Sequence, residues 1–487
     1  MVGVGISFNE FSIVFNLTFY KLRIMKQNIV LLIVSFAMFM EAVDTTIINT
    51  AIPVMAVSLD VNPIDLKLAL ISYLLSLAIF IPISGWIADK FGIKKMFMIA
   101  VIIFTLSSVW CGFTQNLGEL ILARIIQGLG GSLTLPIGRL IILRTCKRHE
   151  LVSKMSIVVM VASLGMMLGP LLGGVITHYF SWRWIFWVNA PAGILTLLLS
   201  IKLLPFMPSY KVPPLDKIGF VLFGSGLATL TLSLSLFSET HISITQSLCI
   251  FLGAILLLLG YSWHSHKKEN PIVKIELLAI RTFRISVVGN LLVRMSFGGI
   301  PFLLPLLLQI GLHFSPQLSG ALLAPVALGV FIVKPFSMAI LRRLGYRKLL
   351  IFNTILISFS LWSFSSINEE SSIYEIGFLT FMYGFLVALQ YTGMNSLAYA
   401  NVNDNDMSAA ASIMATIQQL AQSFGVAISA IMLSFFSYEF SEHQQLTTKI
   451  FHQTFITLGI LTILIGLIFT RLKTEDGQEM IGVPNNS

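Results

Sequence analysis

Apolar runs of close to 20 residues recur along the whole chain, parted by short stretches that hold most of its charge. An α-helix rises 1.5 Å per residue and crosses the roughly 30 Å hydrocarbon core in about 20 residues. A spanning strand would alternate apolar and polar positions over about ten residues, and no run does so. The pattern predicts helices near 29–51, 66–88, 96–115, 118–141, 153–177, 183–203, 218–237, 245–263, 284–308, 317–341, 348–366, 375–399, 408–435 and 451–470. That is an all-α polytopic membrane protein of about 14 transmembrane helices.

Composition agrees: the chain is 56% hydrophobic and 11% charged, against roughly a half and a quarter in soluble domains. With both termini cytoplasmic, 24 of the 31 Lys and Arg fall in cytoplasmic segments, three in outside loops (Lys67, Arg183, Lys449) and four within spans. That skew sets the orientation and accounts for the net charge of +9 without a nucleic-acid-binding patch. Cys111, Cys146 and Cys249 lack CxxC spacing, so neither a disulfide framework nor a thiolate metal site is expected. All eight histidines lie in loops or at span ends, and neither a metal nor a cofactor is expected. Near the start, the apolar stretch Phe11 to Tyr20 is too short to span and lacks a signal peptide's charged lead; Met25 is an alternative start.

Pro82 with GWIADKFGIKK (85–95) realigns 253 residues later on Pro335 with MAILRRLGYRK (338–348), each closing a span on the cytoplasmic side. Such an echo predicts two halves of the same hand, related by an axis along the membrane normal. The expected division is a cytoplasmic N-terminal segment (1–28), an N-terminal six-helix bundle (29–203), a cytoplasmic linker (204–217), an inserted helix pair (218–263), a cytoplasmic loop (264–283), a C-terminal six-helix bundle (284–470) and a cytoplasmic tail (471–487). The linker's prolines and charges in PFMPSYKVPPLDK cannot continue a buried helix.

The first span, FMEAVDTTIINTAIP (39–53), puts Glu41 and Asp44 on one helix face inside the membrane, where an acid costs about 2.5 to 3.5 kcal/mol. Protonation, pairing or a water-filled cavity would relieve that cost, and each suits proton coupling. The other reading is a structural acid bonded to backbone or to Thr45, Thr46 and Asn49. In the fourth span, LARIIQGLGGSLTLPIGR (122–139) places Arg124 at the depth of Asp44. A pair would lower the cost of both, and protonating Asp44 would free Arg124 to bind something else. Gly165, Gly169, Gly173 and Gly174 permit close helix packing, and Pro170 removes a backbone donor from the fifth span.

The loop after the second span joins a glycine at a tight turn to Asp89 and three lysines; Gly85, Asp89, Lys90, Gly92, Lys94 and Lys95 are its candidate gate residues. Arg294 sits near mid-span, so it is paired or faces a cavity, where it could attract an anionic group; Lys334 and Arg139 are placed to snorkel. Tyr383, Gln390, Tyr391 and Asn395, with Gln418, Gln419 and Gln422, either line a C-terminal cavity or hydrogen-bond between helices. No GxxxxGK[ST], HExxH or GxSxG occurs.

Together these stretches resemble the major facilitator superfamily, in its fourteen-span drug:proton antiporter branch of EmrB/QacA-like multidrug exporters, from about residue 28 onward. GWIADKFGIKK is similar to that family's loop between spans two and three, LARIIQGLGG to its fourth-span arginine motif and GMMLGPLLGG to its fifth-span antiporter motif. DTTIINTAIP resembles the branch's first-span signature, SWRWIFWVNAPAGI its sixth-span entry, and the inserted pair its two extra helices. The resemblance implies the major facilitator fold, alternating access with proton antiport, coupling through Asp44 and Arg124, Gly169 and Pro170 in the antiporter helix, and Asp89 in a gate latch. Two departures stand out: Arg342 replaces Asp89 in the second copy, and Glu41 adds an acid.

The expected function is a proton-coupled secondary active transporter exporting drugs or other amphiphilic small molecules. The alternative is an exporter of an organic anion or metabolite, favoured by four basic residues against two acids inside the spans. A membrane enzyme would need a nucleophile, base or metal cluster that is not evident, so no catalytic residue is expected, and a receptor or scaffold on a transporter fold has no use for buried charge. Expected partners are the small-molecule substrate, protons and the lipid bilayer, with no nucleic acid and a periplasmic adaptor protein as an optional addition. The expected working unit is a monomer in the bacterial inner (plasma) membrane, with both termini cytoplasmic.

Overall fold

The computed structural model describes residues 8–146, 150–238, 242–440 and 446–481, with backbone alone for 8–26, 152, 440 and 481. Thirteen described helical stretches are long and apolar enough to cross a membrane. One of them, Pro316–Phe364, runs for 49 residues, about twice what a bilayer needs. Gly345 divides it, with φ 70° and ψ 164°, a conformation that favours glycine. The described chain therefore has fourteen spans and is a multi-pass membrane protein.

We number them α1 (Phe8–Ile47), α2 (Lys67–Phe91), α3 (Ile93–Phe113), α4 (Leu117–Thr145), α5 (Leu151–Tyr179), α6 (Trp184–Leu203), α7 (Lys217–Leu236) and α8 (Ile244–Ser265). There follow α9 (Arg281–Gly311), α10 and α11 (316–344 and 346–364), α12 (Ile373–Ala398), α13 (Met407–Phe440) and α14 (Thr448–Gly466). Helix α1 begins at Phe8, so much of the expected N-terminal segment is helical and continuous with the first span. At its other end α1 tightens into a 3-10 turn, Ile48–Thr50, and restarts as the short helix Ile52–Leu59 with Pro53 in its first turn, where a missing N–H costs nothing.

The internal echo has a backbone counterpart. Gly92 (φ 95°) makes the one-residue turn from α2 to α3, and Gly345, its realigned partner, makes the turn from α10 to α11. The face that carries both turns also carries Lys90, Lys94, Lys95, Arg342, Arg343, Arg347 and Lys348, and is called the basic face below. Gly85 is not at a turn: it lies inside α2 with no atom within 4 Å of where a side chain would begin.

Helices α1–α6 and α9–α14 form two bundles that touch mainly through α5 against α10 and α2 against α13. A methyl group on Gly174 would collide with the Pro316 carbonyl and lie 3.1 Å from the Gly320 Cα. Near the same end, the Gln309 side-chain amide donates to the Thr50 carbonyl at 2.9 Å. Toward the basic face α5 and α10 part. A cleft of about 760 Å³ lies there between Met155, Ser156, Val159 and Met160 of α5 and Phe331, Ile332, Lys334, Pro335 and Phe336 of α10. The inserted helices pack on each other, and Leu227 of α7 joins Ala78 of α2 to Leu420 and Phe424 of α13. Helix α8 turns Leu248, Leu252, Leu256, Leu259 and Trp263 outward, the apolar stripe of a lipid-facing helix.

Replacing Gly174 by Ala should push α5 from α10 and lower stability by about 1 to 3 kcal/mol, the cost of overpacking. Gly253→Ala on α8, where the space is open, should leave stability equal or slightly raised. Thermal unfolding of both variants in one detergent checks the contrast.

Candidate functional site

Five helices of the first bundle converge on one carboxylate. Asp44 of α1 is fully buried. Arg124 Nη1 of α4 donates to its Oδ2 at 2.7 Å, and Gln127 Nε2 of α4 and Asn189 Nδ2 of α6 each donate to its Oδ1 at 2.8 Å. Both oxygens are thereby occupied, which offsets the loss of water around a buried charge.

The arginine is held from several sides. Its Nη1 also donates to Gln127 Oε1 at 2.6 Å, its Nε approaches the Ala69 carbonyl of α2 at 3.4 Å, and its guanidinium lies 4.2 Å from the Tyr73 ring centre. Asn189 in turn donates to Ser108 Oγ of α3 at 3.0 Å, and Ser108 to the Phe186 carbonyl at 2.9 Å. Sequence reasoning paired Asp44 with Arg124 by depth but passed over Gln127, Asn189 and Ser108. Their signal was there: each is a polar side chain inside an apolar run, and the first two lie within quoted motifs.

Close packing sets where α1 stands. A methyl on Gly165 would lie 2.7 Å from the Phe39 carbonyl, and methyls on Gly169 and Gly173 would collide with Thr46 Oγ1 and the Ile47 carbonyl. Bare glycine backbone thus lets α5 lie against α1 on the turns around Asp44, while Gly174 faces α10. The Thr50 hydroxyl donates to the Pro170 carbonyl at 3.4 Å. Thr45 and Thr46 donate to main-chain carbonyls of their own helix, Glu41 and Ala42, at 2.8 and 3.0 Å, and so do not tie down either acid. Glu41 stands apart from the Asp44 cluster. It is 9% exposed, and its Oε2 has no hydrogen-bond partner among the described residues.

Beside this cluster a cavity of about 380 Å³ lies between the bundles. The first bundle lines it with Thr45, Thr46, Asn49, Tyr73, Arg124 and Ser163; the second with Arg294, Tyr383, Tyr391, Gln418, Gln419 and Gln422. Its second-bundle wall contains a break that the hydropathy pattern hid. Helix α9 is interrupted at Gly298 and Gly299, resumes at Ile300 and ends in a π-turn, Leu307–Gly311. Pro301 has no N–H for the Phe297 carbonyl, and the Tyr383 hydroxyl donates to that carbonyl instead, at 2.8 Å. Gln422 Nε2 donates to the Gly298 carbonyl. Two polar residues expected to face the cavity therefore close the break.

Arg294, one turn before the break, lays its guanidinium 3.5 Å from the Tyr391 ring centre and, among the described residues, hydrogen-bonds only Asn290 Oδ1, at 3.4 Å. Gln390 corrects the expectation: it is fully buried against α11, accepting from Asn353 at 2.9 Å and donating to Thr354 Oγ1 at 3.0 Å, and is absent from the cavity wall. Its position on α12 turns it to the helix-to-helix role. Asn395 likewise lies off the cavity and supports Gln418, whose amide donates to its Oδ1 at 3.1 Å. Lys334 does not snorkel freely but crosses between bundles to donate to Ser163, whereas Arg139 is exposed.

On the basic face, Asp89 accepts from Arg144 Nη2 at the end of α4 at 2.7 Å, both about one-third exposed. The linker covers this turn. The Tyr210 N–H donates to the Asp89 carbonyl at 2.7 Å, Trp86 to the Pro213 carbonyl at 2.8 Å, and Lys94 to the Ile201 and Leu204 carbonyls at 2.9 and 2.7 Å. Lys90 sits over the Trp86 ring, and Lys95 is exposed.

The sequence profile of the Major Facilitator Superfamily matches residues 34–273 and 286–483. A protein of Escherichia coli (strain K12) named "Putative multidrug resistance protein MdtD" is 34% identical over 452 residues, covering 92% of this chain and 95% of that protein. Its namesake in Serratia proteamaculans (strain 568) is 33% identical over 450 residues, covering 91% and 93%. Among solved structures, the POT family transporter PepTSo superposes with a TM-score of 0.68 at 14% identity, covering 91% of this chain and 97% of that one. A D-xylose-proton symporter does so with a TM-score of 0.64 at 15% identity, covering 92% and 98%. These two speak to the fold.

Removing one partner of a buried pair leaves a charge unbalanced, at a cost of about 3 to 5 kcal/mol. Arg124→Gln should lose stability on that scale, and adding Asp44→Asn to it should restore much of the loss, because no unpaired charge then remains. Denaturant unfolding of the two single variants and the double variant measures the coupling.

Proposed function

The chain belongs to the Major Facilitator Superfamily, a family of transporters, and from that premise we propose that it is a proton-coupled antiporter exporting amphiphilic small molecules by alternating access. The observation that carries the reading is the placement of Arg124, which holds the buried Asp44 carboxylate and also forms part of the wall of the central cavity. One side chain thus reaches both a proton-binding group and the space a substrate would occupy. A proton arriving on Asp44 removes the charge that holds Arg124, and the guanidinium then exchanges its partner or its position. The relative named for multidrug resistance supports the choice of cargo, as does a cavity walled largely by aliphatic and aromatic side chains.

The antiporter helix α5 is the element we assign to the motion. Glycines on two of its faces meet α1 and α10, so a shift of α1 at Asp44 is passed to the contact between bundles. We read the Asp89 turn, with Arg144 and the linker, as the gate on the cytoplasmic side. The concentration of lysine and arginine on the basic face supports cytoplasmic termini and a bacterial inner-membrane location. We take the monomer as the working unit, with an adaptor protein as an optional addition.

In inverted membrane vesicles carrying an imposed proton gradient, the parent chain should dissipate the gradient when a substrate from a panel of lipophilic cations and organic acids is added. Asp44→Asn should reduce that response to the background of empty vesicles. Equal responses from parent and variant across the panel would overturn the assignment of Asp44, and a silent parent would favour a receptor or scaffold on this fold.

A further inference from the structure

The charged residues in the wall of the central cavity are of one sign. Arg294 and Arg124 are in its wall, and no aspartate or glutamate is. Asp44 lies behind the wall, fully buried, with both oxygens occupied by Arg124, Gln127 and Asn189. Arg294 has no such balance: among the described residues no carboxylate forms an ion pair with it, and its neighbours are the Tyr391 ring and one asparagine oxygen. A cation in an apolar cavity wall with no counter-charge beside it is costly, so its state with an anion beside it is favoured over its empty state.

The cleft between the bundles repeats the pattern. Lys334 lines the cleft between α5 and α10 on the basic face, and its ammonium meets Ser163, a residue of the cavity wall. Neither the cleft nor the cavity has a carboxylate in its lining. The remaining surface is apolar and aromatic, including Phe302, Leu323 and Val326.

From this arrangement we infer that the cavity selects amphiphilic organic anions, with Arg294, stacked on Tyr391, as the residue that receives the anionic group. The inference rests on the exporter reading above and narrows its cargo. It also changes the energetics: a one-for-one exchange of an outgoing monoanion for an incoming proton moves two positive charges' worth inward, so membrane potential adds to the proton gradient. Exchange of a monocation for one proton would move none.

Pyrenesulfonate and pyrenemethylammonium offer matched rings with opposite charge. Their binding to the full chain in lipid nanodiscs, corrected with empty nanodiscs, should favour the sulfonate by at least about tenfold. Arg294→Gln should lose about tenfold or more of the sulfonate affinity and leave the ammonium unchanged, while Arg294→Lys should retain most of it. Equal or reversed preference in the parent, sulfonate binding indifferent to Arg294→Gln, or no binding of either above empty nanodiscs would overturn the inference. The parent's preference decides the matter even if the glutamine variant fails to fold. Proton-coupled, Asp44-dependent flux of cations alone would overturn this inference and leave the exporter reading standing; sulfonate binding with no coupled flux of any compound would do the reverse.

Discussion

A carboxylate placed where there is no water must be neutralised or surrounded, and the first bundle is organised around meeting that demand at Asp44. Its two oxygens take donors from α4 and α6, the arginine that pairs with it leans on α2, and the asparagine that steadies it is steadied from α3. The helices are therefore joined through polar contacts at one depth as well as by apolar packing. Such a junction is stable only while the charge is there to be satisfied. That dependence is what makes it suited, on the proposed mechanism, to respond to a proton.

On the proposed mechanism the response has to leave the first bundle, and the glycines of α5 are its route. Where α5 meets α1 and α10 its backbone is bare on both sides, so the three helices touch main chain to main chain. Contacts of this kind have little slack, because no flexible side chain stands between the surfaces to absorb a shift. On the proposed mechanism a displacement of α1 is passed through α5 to α10. The second bundle offers less rigid material in return: α9 is broken beside the cavity, and its freed carbonyls are held by Tyr383 and Gln422, side chains that can rotate.

The two arginines of the cavity wall make an instructive contrast. Arg124 has a carboxylate, an amide and an aromatic face around it, whereas Arg294 has, among the described residues, an aromatic face and a single weak hydrogen bond. Both lie inside spans and look alike as sequence. One is a completed structural unit and the other an open one, and the difference gives the cavity its charge.

Hydropathy alone determined the number of spans, because crossing a bilayer imposes a length and a solvent on each helix independently of the others. The echo between residues 85–95 and 338–348 fixed the repeat for a local reason as well: a one-residue turn between spans needs a glycine at the same place, and Gly92 and Gly345 both provide it. Matching depth sufficed to join Asp44 to Arg124, since rise per residue is constant along a helix. What sequence could not give is rotation about the helix axis. Gln390, Asn395 and Gln418 read alike as polar residues in apolar runs, yet one faces α11, one supports a neighbour and one lines the cavity. Only packing against other helices sets which way each points. The break in α9 was hidden for the same reason, being closed by partners that lie 86 and 124 residues away along the chain, Tyr383 against Phe297 and Gln422 against Gly298.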